Sequence, residues 1–455
     1  MGMSIGGIAS GLKTAEIIEG LMQLEAVPQT YLKQKQSSTN NFVTALQALN
    51  AKVSSLADNA KNLTTADAFS KWTTTVSSNH ASATASTSAS TTDLTFKVNH
   101  LAQGRSALTS KVADAQTLVT DGKFTFTTGT QDTDSFKEWS IDVAEDATLS
   151  DIADAITKGN SGLRASVITT GDGSRLQLTN TKTGVAAGQF EITSGDGSVT
   201  LQNLKDAQDA EIELWPGMGL ADSIVTSSSN TFTDLAGGVS LTVAKVHAAD
   251  DEPTSLTVNQ DTAAITKLAS NLVSQVGQVL SEISSRSSIT TTGTGSNTKT
   301  TGGLFTGDAQ ARLLTSQISN ALSYPVDGKS PSVIGIDIQK DGTFVFDEAK
   351  FTEALTADPE GTQAFLTELG SRVEAVASAA SDKYEGSITK RIESQQTLSS
   401  EYSKQIEDWD RRLKLREESL KATYTAMEVA LSKMQGTMSQ LSGQLSQLAN
   451  LNSSS

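Results

Sequence analysis

From Leu420 the apolar positions run Leu420, Tyr424, Met427, Leu431, Met434, Met438, Leu441, Leu445 and Leu448, in alternating steps of four and three. That spacing is a heptad seam on an α-helix. Upstream, Tyr402, Ile406, Trp409 and Leu413 keep the same rule, with a phase slip at Arg416 and Glu417. So narrow a stripe cannot build a core alone and needs a partner helix. Near the other end of the chain, Phe42, Leu46, Leu49, Val53, Leu56, Ala60 and Leu63 repeat the pattern. Ile17, Leu21 and Leu24 begin a similar stripe that breaks at Val27-Pro28, because proline removes a helical hydrogen bond and disfavours the α region for its neighbour. The two ends are therefore expected to meet, residues 42–63 pairing with 398–431 as a helical hairpin within one chain. Everything between 70 and 380 is an excursion from that hairpin.

Within the excursion the period changes. The stretch 80–90 is low-complexity Ser/Thr/Ala and is expected to be a solvated connector. Leu94, Phe96 and Val98 alternate with polar residues, as a half-buried strand does. Phe124 with Phe126, and Trp139 with Ile141 and Val143, follow the same rule. Thr148 opens a short helix whose Leu149, Ile152 and Ile156 face inward. Val167 and Leu176 flank the turn Gly171-Asp172-Gly173 of a hairpin. A second glycine-acid turn falls at 195–197, and further strands at 190–193, 211–214, 239–243 and 255–258. Asp261 caps a helix carrying Ile265, Leu268, Leu272, Val276, Val279 and Ile283, and a Ser/Thr/Gly linker at 287–303 follows. Another helix starts near 306, a hairpin spans 333–346, and the chain is nearly all helix from 362, interrupted near Gly386. Strands thus nest between helical ends, so the fold class is α+β multidomain, a terminal coiled-coil-like bundle with discontinuous β-rich head domains.

Composition narrows the partners. The 455 residues carry a formal charge of −16, which argues against nucleic acid or an anionic membrane. No run is long and apolar enough to span a bilayer. Residues 1–12 are glycine-rich and lack both a basic start and an apolar stretch, so no cleavable secretion signal is expected. Cysteine is absent, which excludes disulfides, thiolate metal sites and cysteine nucleophiles. It also suits a chain that passes unfolded through a narrow conduit.

Candidate chemistry is sparse. Histidine occurs only at 80, 100 and 247, with no Ser/His/Asp or His/Glu spacing, so packing or surface roles are expected. Asp337 to Glu348 places acids and glycine like a calcium loop, but Gln339 departs from the pattern and the incoming Ile334, Ile336, Ile338 alternation is strand-like. A hairpin turn at Asp341-Gly342 is expected there. The glycine-acid turns lack the Gly-Lys-Ser/Thr of a phosphate loop. Met427, Met434 and Met438 sit on seam positions and read as packing. No enzyme, cofactor or metal is expected.

Five blocks resemble the flagellar filament cap, or hook-associated protein 2, family. They are Ile5-Gly-Gly-Ile-Ala-Ser-Gly-Leu12 with Ile17-Ile-Glu-Gly-Leu-Met22; Thr148 to Ile156 with Gly173 to Leu178 and Thr183-Gly184; Ala207-Gln-Asp-Ala210 with Ser227 to Leu235 and Gly238-Val-Ser-Leu241; Ile334-Gly-Ile336 to Phe346-Asp-Glu348; and Tyr424-Thr-Ala-Met427 with its Gln/Ser/Leu tail. Lys13 stands where the family usually has an acid. The resemblance implies export through the flagellar type III apparatus, with an export chaperone, to the extracellular filament tip. There it implies a homo-oligomeric ring of about five subunits that closes the channel, touches flagellin and hook–filament junction proteins, and promotes flagellin folding and insertion. A tip-displayed adhesin and another axial protein are the alternatives.

On this basis four parts are expected. Residues 1–40 and 434–455 form terminal helices that order on assembly, because the tail after Lys433 is uncharged and weakened by Gly436 and Gly443. Residues 41–70 with 260–433 form a helical leg, 71–119 with 230–259 an inner β-rich head, and 120–229 an outer α+β head. The expected assembly seam comprises Phe42, Leu46, Leu49, Val53, Leu56, Leu63, Tyr402, Ile406, Trp409, Leu413, Leu420, Tyr424, Met427, Leu431, Met434, Met438, Leu441 and Leu445.

Overall fold

The computed structural model describes residues 11, 13–112, 122–144, 147–159, 161–194, 199–293 and 298–452. The opening stretch 1–10, the turn at 195–197 and the last three residues lie outside the described residues, as does the side chain of Leu448. The chain divides into two compact units, residues 1–65 with 266–455 and residues 66–265.

The first unit is helical: α1 (Thr14–Glu25) and α2 (Val27–Asn62) come before the insertion. Pro28 sits in the first turn of α2, where its missing N–H costs nothing, so the break lies just before it. After α3 (Leu149–Lys158) in the second unit come α4 (Thr262–Ser287), α5 (Ala309–Ser323), α6 (Glu348–Ala357), α7 (Pro359–Ser381) and the 66-residue α8 (Ser387–Asn452). Asp308 and Asp358 cap α5 and α7 through Ala311 N and Gly361 N. The inward rows Leu46, Leu49, Val53, Leu56, Ala60, Leu63 of α2 and Leu366, Leu369, Val373, Ala377 of α7 are buried.

Gly370 lets α2 and α7 approach closely: a Cβ there would lie 3.0 Å from Leu63 Cβ and 3.1 Å from Ala60 O. Gly370→Val should therefore cost about 1–3 kcal/mol, read as a lowered thermal midpoint. An unchanged midpoint would mean that the two helices part freely.

Three local expectations are corrected in this unit. The helix expected near 306 starts at Ala309. The linker 287–303 contains a two-stranded hairpin, Ile289–Thr292 with Lys299–Gly302, whose residues are exposed on both faces and so show no period. The strand expected from 333 starts only at Ile336, because 331–334 is a 3-10 turn closed by Gly335. Gly335 has φ +77°, and a Cβ there would meet Asp347 O at 2.5 Å, so only glycine serves.

The second unit is built from two β-rich layers of its own. One is a sandwich: a five-stranded antiparallel sheet, ordered 72–76, 254–260, 92–100, 210–214, 224–227, beside a three-stranded sheet of 231–232, 239–243 and 81–85. Leu94, Phe96, Ile212, Val239, Leu241, Leu256 and Val258 share its core. The other layer has sheets 201–205, 106–109, 173–180, 163–170 and 137–142, 123–128, 190–194. Phe124, Phe126, Leu176 and Phe190 pack there with Leu149, Ile152 and Ile156 of α3. A capping box starts α3: Thr148 N donates to Asp151 Oδ2 at 2.9 Å and Asp151 N donates to Thr148 Oγ1 at 3.3 Å. The Thr148 hydroxyl, donating to the same carboxylate oxygen at 2.6 Å, and then the Thr148 N–H hold the Asp151 carboxyl below its usual range.

Two expectations are corrected here as well. The supposed connector at 80–90 contains the strand Ala81–Ala85, paired residue by residue with Val239–Val243. The strands at 210–214 and 224–227, assigned to the outer head by the boundary 120–229, hydrogen-bond within the five-stranded sheet of the sandwich, while 106–109, assigned to the inner head, joins the other layer. Sheet pairing, which local pattern does not encode, decides membership.

Candidate assembly surface

The structure divides the expected seam into three zones. Leu46, Leu49, Val53, Leu56 and Leu63 are buried in the helical core. Phe42 is half-buried, its ring edge-on to Phe305 at 5.9 Å and under the Arg391 guanidinium at 4.8 Å. Tyr402, Ile406, Trp409, Leu413, Leu420, Tyr424, Met427 and Leu431 are half-buried along α8. Met434, Met438, Leu441 and Leu445 stand exposed, at 59, 67, 53 and 64%.

The hairpin pairs in a different register from the expected one. Gln36 Nε2 donates to Ser403 Oγ at 2.6 Å, Ser399 Oγ to Asn40 Oδ1 at 2.6 Å, and Arg416 Nε to Glu25 Oε1 at 2.8 Å. Gln29, itself buried, bonds Asp410 and the carbonyl of Ile406. Rising numbers on α1 and α2 thus meet falling numbers on α8: 25–42 lies along 391–416, and 42–63 does not lie along 398–431. The later part of α2 packs instead on α7. The physical reason is that polar side chains fix the register, since buried donors and acceptors must find partners while an apolar row slides. Sequence reasoning missed these residues, although Gln29, Gln36 and Val43 recur every seven positions on one face.

At the base of α8, Arg391 forks onto Asp308, with Nη1 2.9 Å from Oδ1 and Nη2 on the other oxygen. Those bonds hold the Asp308 carboxyl below its usual range, against the opposing effect of burial. A second apolar row, Ile17, Leu21, Leu24, Val27 and Tyr31, lies exposed on α1 and the start of α2.

The residues weighed for chemistry are placed as follows. Asp341 accepts from Thr343 N and Oγ1 at 3.0 and 2.7 Å within the hairpin Ile336–Ile338 with Phe344–Phe346. Those bonds lower the Asp341 pKa. Among the described residues no group of three His, Cys, Asp or Glu could hold a metal ion. A constellation that spacing concealed joins Ser78, His80 and Asp251. Ser78 Oγ lies 3.0 Å from His80 Nδ1, and His80 Nε2 lies 3.4 Å from Asp251 Oδ2. Ser78 Oγ is also held by the buried Thr254 hydroxyl at 2.6 Å, so it is a bonded link, not a free nucleophile.

Helical chain ends that pair antiparallel, flank a β-rich insertion and carry an exposed, uncharged apolar row define a structural assembly protein. Residues 207–436 match the family described as flagellar hook-associated protein 2 C-terminus, and 10–105 its N-terminus counterpart. Residues 123–182 match the flagellin hook IN motif. The chain belongs to the flagellar hook-associated protein 2 family, the structural proteins that cap the flagellar filament at its tip. It is 28% identical to the B-type flagellar hook-associated protein 2 of Pseudomonas aeruginosa, over 87% of this chain and 84% of that one. It is 26% identical to the flagellar hook-associated protein 2 of Escherichia coli K12, over 79% of each. The crystal structure of the D1-D2-D3 domains of the E. coli flagellar cap protein FliD shares the fold, with a TM-score of 0.62 and 23% identity, covering 77% of this chain and 99% of that one.

Proposed function

We propose that copies of this chain form a closed ring at the distal end of the filament, closing its channel and promoting the folding and insertion of flagellin there. The observation that carries this reading is the exposed seam of Met434, Met438, Leu441 and Leu445 on a stretch without charge after Lys433. An apolar row of this kind is stable in water only when neighbours cover it. The neighbours are other copies, flagellin and the hook–filament junction proteins. The terminal stretches 1–40 and 434–455 order against them, after export with a chaperone. In this reading 41–70 with 260–433 is the leg, and the head comprises an inner and an outer β-rich domain.

Charge supports assembly through the helical ends. Residues 66–265 hold 25 of the 51 acids but only 12 of the 35 bases, whereas the rest of the chain is nearly balanced. Like-charged central units repel, and the near-neutral helical parts can approach.

Light scattering after size exclusion, on the full chain and on a chain lacking 434–455, tests this. We expect a discrete oligomer from the full chain, lost on shortening, with motility restored to a capless strain by the full chain only. Equal oligomers from both, with equal motility, would remove the tail from assembly.

A further inference from the structure

The strand Thr254–Gln260 pairs with Thr92–His100 only as far as Thr254 opposite Phe96. At the next open position, Val98, its place is taken by one residue of the preceding segment. His247 N donates to Val98 O at 3.0 Å, and Val98 N donates to His247 Nδ1 at 2.9 Å. A ring nitrogen thus stands where a strand would offer a carbonyl.

That contact orients a chain of hydrogen bonds. A backbone N–H can only donate, so Nδ1 of His247 is bare and its proton sits on Nε2. Nε2 lies 2.9 Å from Thr254 Oγ1, which lies 2.6 Å from Ser78 Oγ, which lies 3.0 Å from His80 Nδ1. With each hydroxyl passing the direction on, His80 is left with its own proton on Nε2, toward Asp251. The two imidazoles stack at 3.9 Å with planes 20° apart. Asp251 in turn accepts from Ala248 N at 2.7 Å, which closes the loop on the segment.

We propose that the stacked His80 and His247 form an acid-sensitive latch, which ties the 244–253 segment to the open end of the Thr92–His100 strand while the His247 ring is neutral and releases it when that ring is protonated. A proton on Nδ1 of His247 sets two donors face to face and leaves the Val98 N–H without an acceptor. Two protons place like charges one ring-stack apart.

The charged groups facing the pair are Asp251, Lys97 and Lys245. Burial, then His80 and the two lysines, push the His247 pKa below the ordinary 6.5, and Asp251 opposes them. A depressed histidine pKa means that the opened segment takes the proton more readily than the closed one. The latch is at full strength above pH 6.5 and weakens as pH falls below it, by up to about tenfold in opening per pH unit.

Hydrogen exchange of the full chain at about pH 7.5 and about pH 5, corrected for intrinsic rates, reads the opening directly. We expect protection of 244–254 and of the 77–80 turn to fall by about tenfold or more in acid, with the rest of 66–265 little changed. His247→Asn keeps an acceptor oxygen near the Nδ1 position and cannot titrate, so it should abolish the pH dependence. Equal protection at both pH values, a loss spread evenly over 66–265, or the same acid loss in H247N would overturn the latch. Should H247N fail to fold, the unaltered chain still decides, because it has only three histidines to resolve by NMR. A His247 ring titrating at or above the ordinary value would overturn it, and one titrating below supports it.

Discussion

Shortening Leu56 to alanine should lower the stability of the helical unit by about 3–4 kcal/mol. Leu56 is fully enclosed, on the inward row of α2 with Leu49, Val53, Ala60 and Leu63. The loss combines the transfer of its deleted methyl groups with the cavity left in that inward row. With total stability commonly about 5–15 kcal/mol, this is a large fraction. Urea unfolding should show a lower midpoint at unchanged slope. Leu445→Ala, at 64% exposure, should stay within about 0.5 kcal/mol. Similar losses at both positions would contradict the division of the seam into core and open zones.

Asp308→Ala should cost about 2–4 kcal/mol, because one carboxylate serves two structures. It caps α5 through Ala311 N at 2.9 Å and pairs with the Arg391 guanidinium over the Phe42 ring. The carboxylate side chain is 8% exposed and its partner 26%, so the loss falls short of that for a wholly buried pair. Asp308→Asn retains the cap and should recover about 1 kcal/mol. The pH dependence has a definite sign. The folded carboxyl ionises below its ordinary 3.8, so its stabilisation is complete above that value and is lost as pH falls through the lower folded one. Thermal melts across about pH 5 to 2 should show the loss in the native chain and not in D308A. Parallel acid curves would contradict the assignment.

The heptad rows disclosed which faces of α2 and α8 turn inward, because burial on a helix repeats every third or fourth residue. They did not disclose the partner register, since apolar rows are interchangeable and the discriminating groups are Gln29, Gln36, Asn40, Ser399 and Ser403. Period two located Leu94 to Val98 and Phe124 to Phe126, whose alternate side chains are fully buried. It missed 81–85 because alanine and serine differ too little in hydrophobicity, and the burial comes from Val239–Val243 across the sheet. It missed the 289–302 hairpin because both of its faces meet water. The histidine relay was invisible for another reason: Ser78 and Thr254 are 176 positions apart.

The length of α8 has a mechanical consequence. At about 1.5 Å per residue its 66 residues make a strut of about 100 Å, one end clamped at Arg391 by Asp308. Gly436 and Gly443 have nothing within 4 Å of where a side chain would be, and both lie in the last third. Bending stiffness is therefore high near the clamp and lowest toward the free end. A sideways load on that end is absorbed by flexure around the two glycines before it can pry the clamped base from its core.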